Sequence, residues 1–263
     1  MAELSVRFYS DTLKREVSFL MIIPNDIRTD FPRNDLKCTN RPTKTLFLLH
    51  GYSGIAQNWL PGNLFEQYNF AVVIPSAENS FWIDGEATGR QFGAFLGVEL
   101  LEYVQKTFHL AMSAQDTYLL GYSMGGFGAL HTAFAYPKKF SKVAALSSAL
   151  IYKEVAQMKE GTGNSVANYD YYKMCFGEPS KLLQSDNNPE YLLKKQIAAG
   201  EKIPEIFMAC GTEDFLINEN RDFHNFLLSQ KVPHTYCESK GIHNMDFWQE
   251  YAAKFIPMMF SKN

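Results

Sequence analysis

Several functional classes are set aside by what this sequence lacks. Its 263 residues hold four cysteines (Cys38, Cys175, Cys210 and Cys237), widely scattered, with no CxxC pair and no metal-ligand spacing. A disulfide framework and a structural zinc site are therefore not expected. Cys210 and Cys237 sit in apolar, strand-like runs and read as reduced core residues. No apolar run approaches the ~18–20 residues of a membrane span. The N-terminus, MAELSVRFYSDTLKREV, lacks the apolar core of a signal peptide. Together these absences predict a cytoplasmic chain with no membrane partner. The net charge is only −3, without a Lys/Arg stripe, so a nucleic-acid partner is not expected. Dinucleotide and P-loop sites are missing as well: no G-x-G-x-x-G follows a strand, and no Gly-Lys-Ser/Thr occurs. There is no internal repeat.

What is present is the ordinary balance of a globular chain, 46% hydrophobic and 20% charged, long enough to bury a sizeable core. Val6–Tyr9 and Val17–Ile23 read as a β-hairpin across Ser10-Asp11-Thr12. Pro24 to Lys44 is polar, with three prolines, and reads as a surface excursion. Beyond it, short continuous apolar runs predict strands buried on both faces: Thr45–Leu49, Phe70–Ile74, Tyr118–Leu120, Lys142–Ser147 and Ile206–Cys210. His234–Glu238 alternates like a last strand. Between them, helical spacing appears over Phe92–Phe108, Phe127–Tyr136, Asn220–Leu228 and Met245–Phe255. That alternation predicts one α/β domain over residues 1–263, with a mostly parallel sheet and helices on both faces. Residues 150–200 break the pattern. They hold Gly161-Thr162-Gly163-Asn164, a tyrosine patch (Tyr169, Tyr171, Tyr172) and Asn187-Asn188-Pro189, and predict a cap-like insertion over the carboxyl ends of the strands.

The most informative stretch is Thr117–Gly128, TYLLGYSMGGFG. It is G-x-S-x-G in the context that gives the motif meaning, an apolar strand turning sharply into a helix. The turn strains the Ser123 backbone and demands small neighbours, which Gly121, Gly125 and Gly126 supply. A serine hydroxyl is almost fully protonated at neutral pH, so a nucleophilic Ser123 needs a base. In this fold class the partners follow in the order Ser, acid, His. Gly211-Thr212-Glu213-Asp214 puts an acid after one strand, and Gly241-Ile242-His243 puts a histidine after the last. Asp214 is preferred over Glu213 for its shorter side chain, one step further into the loop. His243 is preferred over His50, whose place before Gly51 suits holding the loop shape. His109, His131, His224 and His234 lie within or beside helices and strands and read as packing or surface residues. Asp246 suits the start of the last helix.

An acyl-transfer site also needs donors for the tetrahedral oxyanion. The backbone N–H groups of Met124, after the nucleophile, and Tyr52, in His50-Gly51-Tyr52, are the expected pair. Among the loop aromatics, Trp82 in Asn79–Gly85 is the candidate for substrate contact. Trp59 is balanced between core and site, and Trp248 reads as packing.

With these residues in hand, the chain resembles the esterase D-type α/β-hydrolases, which include tributyrin-type esterases, S-formylglutathione hydrolases and acetyl-xylan and feruloyl esterases. FLLHGYSG, LLGYSMGGFGALHTAFAYPKKF, CGTEDFL and GIHNMDFW carry the resemblance, which runs from about Val17 to the last helix. It implies an α/β-hydrolase fold and carboxylic ester hydrolysis through Ser123, Asp214 and His243 with an acyl-enzyme. It also implies oxyanion donors at Tyr52 and Met124, no cofactor and no metal. The substrate would be a small-molecule or carbohydrate-linked ester, with the tributyrin-type enzymes and their short acyl chains the nearest pattern. S-formylglutathione and acetyl or feruloyl polysaccharide esters are the rival substrates, and an alcohol acceptor in place of water is the rival reaction. A non-catalytic binding protein on a hydrolase scaffold is the reading from another class. A homo-oligomer is compatible with the resemblance, although Pro24–Lys44 is longer than the family pattern.

Overall fold

A computed structural model describes residues 1–24, 42 and 44–260. The surface excursion expected at Pro24–Lys44 falls almost wholly outside these residues. Strands β1 (Ala2–Ser10) and β2 (Arg15–Ile23) form the expected antiparallel hairpin. They are followed by β3 (Lys44–Leu49), α1 (Leu64–Gln67) and β4 (Phe70–Pro75). Next come α2 (Phe92–Ala94), a π-helical stretch at Phe95–Leu100, and α3 (Leu101–Phe108). Strand β5 (Thr117–Tyr122) runs into α4 (Met124–Ala135), and β6 (Lys142–Leu146) follows. After β6 the chain forms α5 (Tyr152–Gln157), α6 (Tyr169–Phe176), a 3-10 turn at Pro179–Gln184 and α7 (Pro189–Ala198). It closes with β7 (Glu205–Gly211), α8 (Ile217–Ser229), β8 (His234–Ser239) and α9 (Met245–Phe260).

The eight strands make one sheet in the order β1-β2-β4-β3-β5-β6-β7-β8. All pairings from β4 through β8 are parallel, and the hairpin adds the antiparallel edge. Successive strand residues point to opposite faces, and the core divides accordingly. Phe47, Leu49 and Leu119 pack with Phe127 and Leu130 of α4 on one face. Leu46, Leu48 and Leu120 pack with Phe255 and Ile256 of α9 on the other. Strands with both faces covered bury every residue, which is why β3 and β4 read as unbroken apolar runs.

The π-helical stretch lies against the end of α4. A Cβ at Gly97 would lie 2.2 Å from the Tyr136 ring, so the helix passes that ring at a glycine. The stretch also presents Glu99, which accepts hydrogen bonds from the Ser10 hydroxyl and the Asp11 and Thr12 amides, tying the hairpin to the helical layer. Residues 150–200 contain no strand. Asn187-Asn188-Pro189, read as a break in sequence, starts a helix: the Asn188 side chain accepts the Glu190 N–H, and Pro189 stands at the first helical position. Asn168 begins α6 in the same way, accepting from the Tyr171 N–H.

Among the described residues, Cys175, Cys210 and Cys237 are free thiols. Burial pushes the Cys210 thiol up to about 12, which keeps it protonated and unreactive. No helix among the described residues is long and apolar enough to cross a membrane.

Candidate active site

The site is built where β3, β5, β7 and β8 deliver their following loops to one rim. Ser123 stands between β5 and α4 with φ 54° and ψ −121°, a strained conformation for a residue with a side chain. Two glycines make the turn sterically possible. A Cβ at Gly121 would sit 2.1 Å from the Gly125 carbonyl oxygen. One at Gly125 would sit 2.5 Å and 2.6 Å from the carbonyl oxygens of Leu49 and His50. The helix therefore starts against the backbone leaving β3, which brings Tyr52 and Met124 to the same cavity as Ser123.

The three side chains expected from the sequence meet there. His243 Nε2 lies 3.0 Å from Ser123 Oγ, and His243 Nδ1 lies 2.9 Å and 3.0 Å from the two carboxylate oxygens of Asp214. A carboxylate only accepts, so Nδ1 carries the proton and Nε2 is left to accept from the serine hydroxyl. Asp214 is 2% exposed. Burial alone would raise its pKa, but the hydrogen bonds from His243 and the Leu216 amide outweigh it and hold the carboxyl below its usual range. Glu213, the rival acid, is exposed. The arrangement can move a proton from a hydroxyl to an imidazole that a carboxylate orients.

His50 has the structural role expected of it. Its Nε2 accepts the Ala77 N–H at 3.0 Å, so Nδ1 is the protonated nitrogen and donates to the Gly51 carbonyl at 2.8 Å. Burial pushes this ring below the usual histidine range, against the smaller upward pull of that carbonyl. A neutral ring thus fixes the loop that carries Tyr52.

Trp82, the candidate for substrate contact, is not brought to the cavity. It is 0% exposed and lies outside the cavity wall. A Cβ at Gly128 would fall 2.4 Å from Trp82 Cβ, so the indole occupies the space that glycine leaves on α4. Its Nε1–H donates to the His50 carbonyl at 3.2 Å, pinning the β3 loop. The neighbouring Phe81 lines the cavity instead. Trp59 is buried edge-on against Tyr122.

Trp248 goes beyond the packing role expected of it. It stacks on Tyr122 at 4.2 Å and meets the His243 ring edge-on at 4.9 Å, while also lining the cavity. Phe215 covers another side of that imidazole at 4.5 Å. Sequence spacing held both signals: Phe215 directly follows Asp214, and Trp248 lies in the second turn of the helix after His243. The cavity at Ser123 encloses about 410 Å³. One wall is Asn164, Ser165, Val166 and Tyr172 from the segment between β6 and β7, and Glu154 and Glu219 also reach it.

A family model described as a putative esterase matches residues 10–259. The chain belongs to this esterase family. An acetyl esterase of Caldicellulosiruptor saccharolyticus is 40% identical over 263 residues, covering 98% of this chain and 98% of that protein. Among solved structures, a substrate-bound fluorophosphonate-binding serine hydrolase F of Staphylococcus aureus is 25% identical with a TM-score of 0.83. The alignment spans 99% of both chains. An S-formylglutathione hydrolase of the same organism, also 25% identical, gives 0.81 over 99% of both chains. The protein is thus a carboxylic ester hydrolase of α/β-hydrolase fold.

Proposed function

We propose that this esterase cleaves short-chain acyl esters, acetyl esters foremost, through Ser123, His243 and Asp214, with residues 150–200 acting as a cap over the site. The observation that carries the reading is the continuous hydrogen-bond line from Asp214 through His243 to Ser123, ending in a cavity. Ser123 Oγ attacks the ester carbonyl carbon as its proton passes to His243 Nε2, and Asp214 stabilises the imidazolium. The oxyanion takes hydrogen bonds from the Tyr52 and Met124 N–H groups. The first N–H groups of a helix have no intrahelical partner, which suits Met124 at the start of α4. One such donor contributes ~3 kcal/mol to transition-state stabilisation. Collapse expels the alcohol, which takes the proton from His243. Water then attacks the acyl-serine, giving a proton to His243, and release of the acid restores the Ser123 hydroxyl. The 40% identity to an acetyl esterase supports the acyl group.

Ser123→Ala tests this directly: acetate ester turnover should fall by at least ~10³-fold with the melting temperature retained. A fluorophosphonate probe should label Ser123 and lose its target in the variant. Near-normal turnover in the variant, or labelling of another serine, contradicts the assignment.

A further inference from the structure

The walls of the cavity carry one sign of charge. Glu154 and Glu219 both line it, and among the described residues no Lys or Arg does. Neither carboxylate is matched by a cation from its own helix. Lys153, beside Glu154, pairs with Glu190 at 2.9 Å, and Arg221, near Glu219, pairs with Glu238 at 2.7 Å. Glu154 accepts only the neutral Asn164 amide, at 2.9 Å. In Glu219, Oε2 is closed off from solvent and has no hydrogen-bond partner, so that charge is answered neither by the protein nor fully by water. A second cavity of about 90 Å³ is walled by the same two glutamates with Asp222 and with Lys153, whose ammonium is paired with Glu190. The remaining wall is aromatic at Tyr122, Tyr172 and Trp248, which offer π faces to C–H groups or to a cation.

An acetyl group fills only a small part of about 410 Å³, so most of the space falls to the alcohol. We infer that the alcohol released by this enzyme carries hydrogen-bond donors, hydroxyl or ammonium, and no negative charge, with Glu154 and Glu219 as the residues that select it. The inference rests on the ester-cleaving reading above. It ranks the thioester of an anionic thiol such as glutathione below a neutral polyol or amino-alcohol ester, because desolvated like charges repel strongly.

Four isosteric aryl acetates separate the cases: 3-methylphenyl, 3-(hydroxymethyl)phenyl, 3-(ammoniomethyl)phenyl and 3-carboxylatophenyl acetate. Their kcat/KM values are normalised by each ester's rate of alkaline hydrolysis. The hydroxymethyl or the ammoniomethyl ester should exceed the methyl ester, and whichever leads identifies the donor as neutral or cationic. The carboxylate ester should fall at least about tenfold below the methyl ester. In the Glu154→Gln/Glu219→Gln double variant the gap between the ammonium and carboxylate esters should narrow about tenfold. Glu160 is exposed and does not line the cavity, so Glu160→Gln should leave the gap in place. Equal turnover of the carboxylate ester, or a gap that survives the double variant, overturns the inference. Loss of 3-methylphenyl acetate hydrolysis with intact Ser123 would instead contradict the ester-cleaving reading.

Discussion

Two regions meet at Ser123, and they are held by different forces. On the β5–α4 side, backbone lies against backbone: the space around Gly121 and Gly125 admits no Cβ, and Gly128 accommodates Trp82. On the other side, residues 150–200 are held by side-chain packing, with Tyr172 and Phe176 against Phe81 and Phe127, joined by single polar contacts. The Tyr171 hydroxyl donates to the Asn79 carbonyl and His131 Nε2 to the Asp186 carbonyl, while Tyr152 donates to Glu190 within the segment. Close approach of main chains leaves one geometry, so the position of Ser123 is set by sterics. Side-chain packing and single hydrogen bonds admit substitutions that main-chain contact does not. The β5–α4 turn sets where Ser123 stands, and residues 150–200 supply one wall of the cavity beside it.

The largest effect should come from the scaffold's chemistry. Asp214→Asn should lower kcat by about 10⁴-fold, because an amide facing Nδ1 favours the wrong imidazole tautomer. Steady-state kinetics on an aryl acetate would check this, and an equal loss from a substitution within residues 150–200 would erase the contrast. Gly121→Ala should destabilise the protein by about 3 kcal/mol or more, since its methyl would overlap the Gly125 carbonyl. A fall in melting temperature with the sheet otherwise intact would register it. A wild-type transition would mean that the turn can relax.

A smaller effect should appear with pH. Burial pushes His131 and His50 below the usual histidine range, and the carbonyls they touch offset only part of that. Their unfolded forms take up protons first, near pH ~6.5, so stability is lost as pH falls from there toward the lowered folded values. His131→Gln keeps a donor for the Asp186 carbonyl and removes one titration. Its urea midpoint should fall less steeply between pH 7 and 5, by up to about 1.4 kcal/mol per pH unit. An unchanged slope would show that His131 does not gate the fastening of the upper region. The smallest change expected is for Tyr152→Phe, which loses the hydrogen bond to Glu190 while Lys153 still pairs with it. A cost of about 1 kcal/mol in chemical denaturation is expected, and a cost as large as that of Gly121→Ala would erase the contrast between side-chain and main-chain contacts.

The same contrast decides what could be read from residues alone. The scaffold was legible because its constraints are local. Continuous apolar runs mark strands covered on both faces, and G-x-S-x-G marks a turn that only glycines permit. Asp214 and His243 follow from chain order once those strands are located. The place of Trp82 was not legible: its loop position suggests access to the site, whereas it packs against Gly128, which lies 46 residues further on. The helices of residues 150–200 were only partly visible. Asn168 and Asn188 look like turn residues until their side chains are seen capping the helix that follows. The second role of Trp248 was hidden for a similar reason: helical spacing tells that it is buried, but not that it meets an imidazole from the preceding loop.

The central claim is that Ser123 carries the acyl group between the two halves of the reaction. The most direct measurement mixes the enzyme with an excess of an acetate ester, quenches in acid within the first turnovers, and maps acetylated peptides by mass spectrometry. One acetyl group on Ser123, absent without substrate and lost on standing in water, is the predicted result. Turnover with Ser123 unmodified and the acetyl group on another side chain would contradict the account.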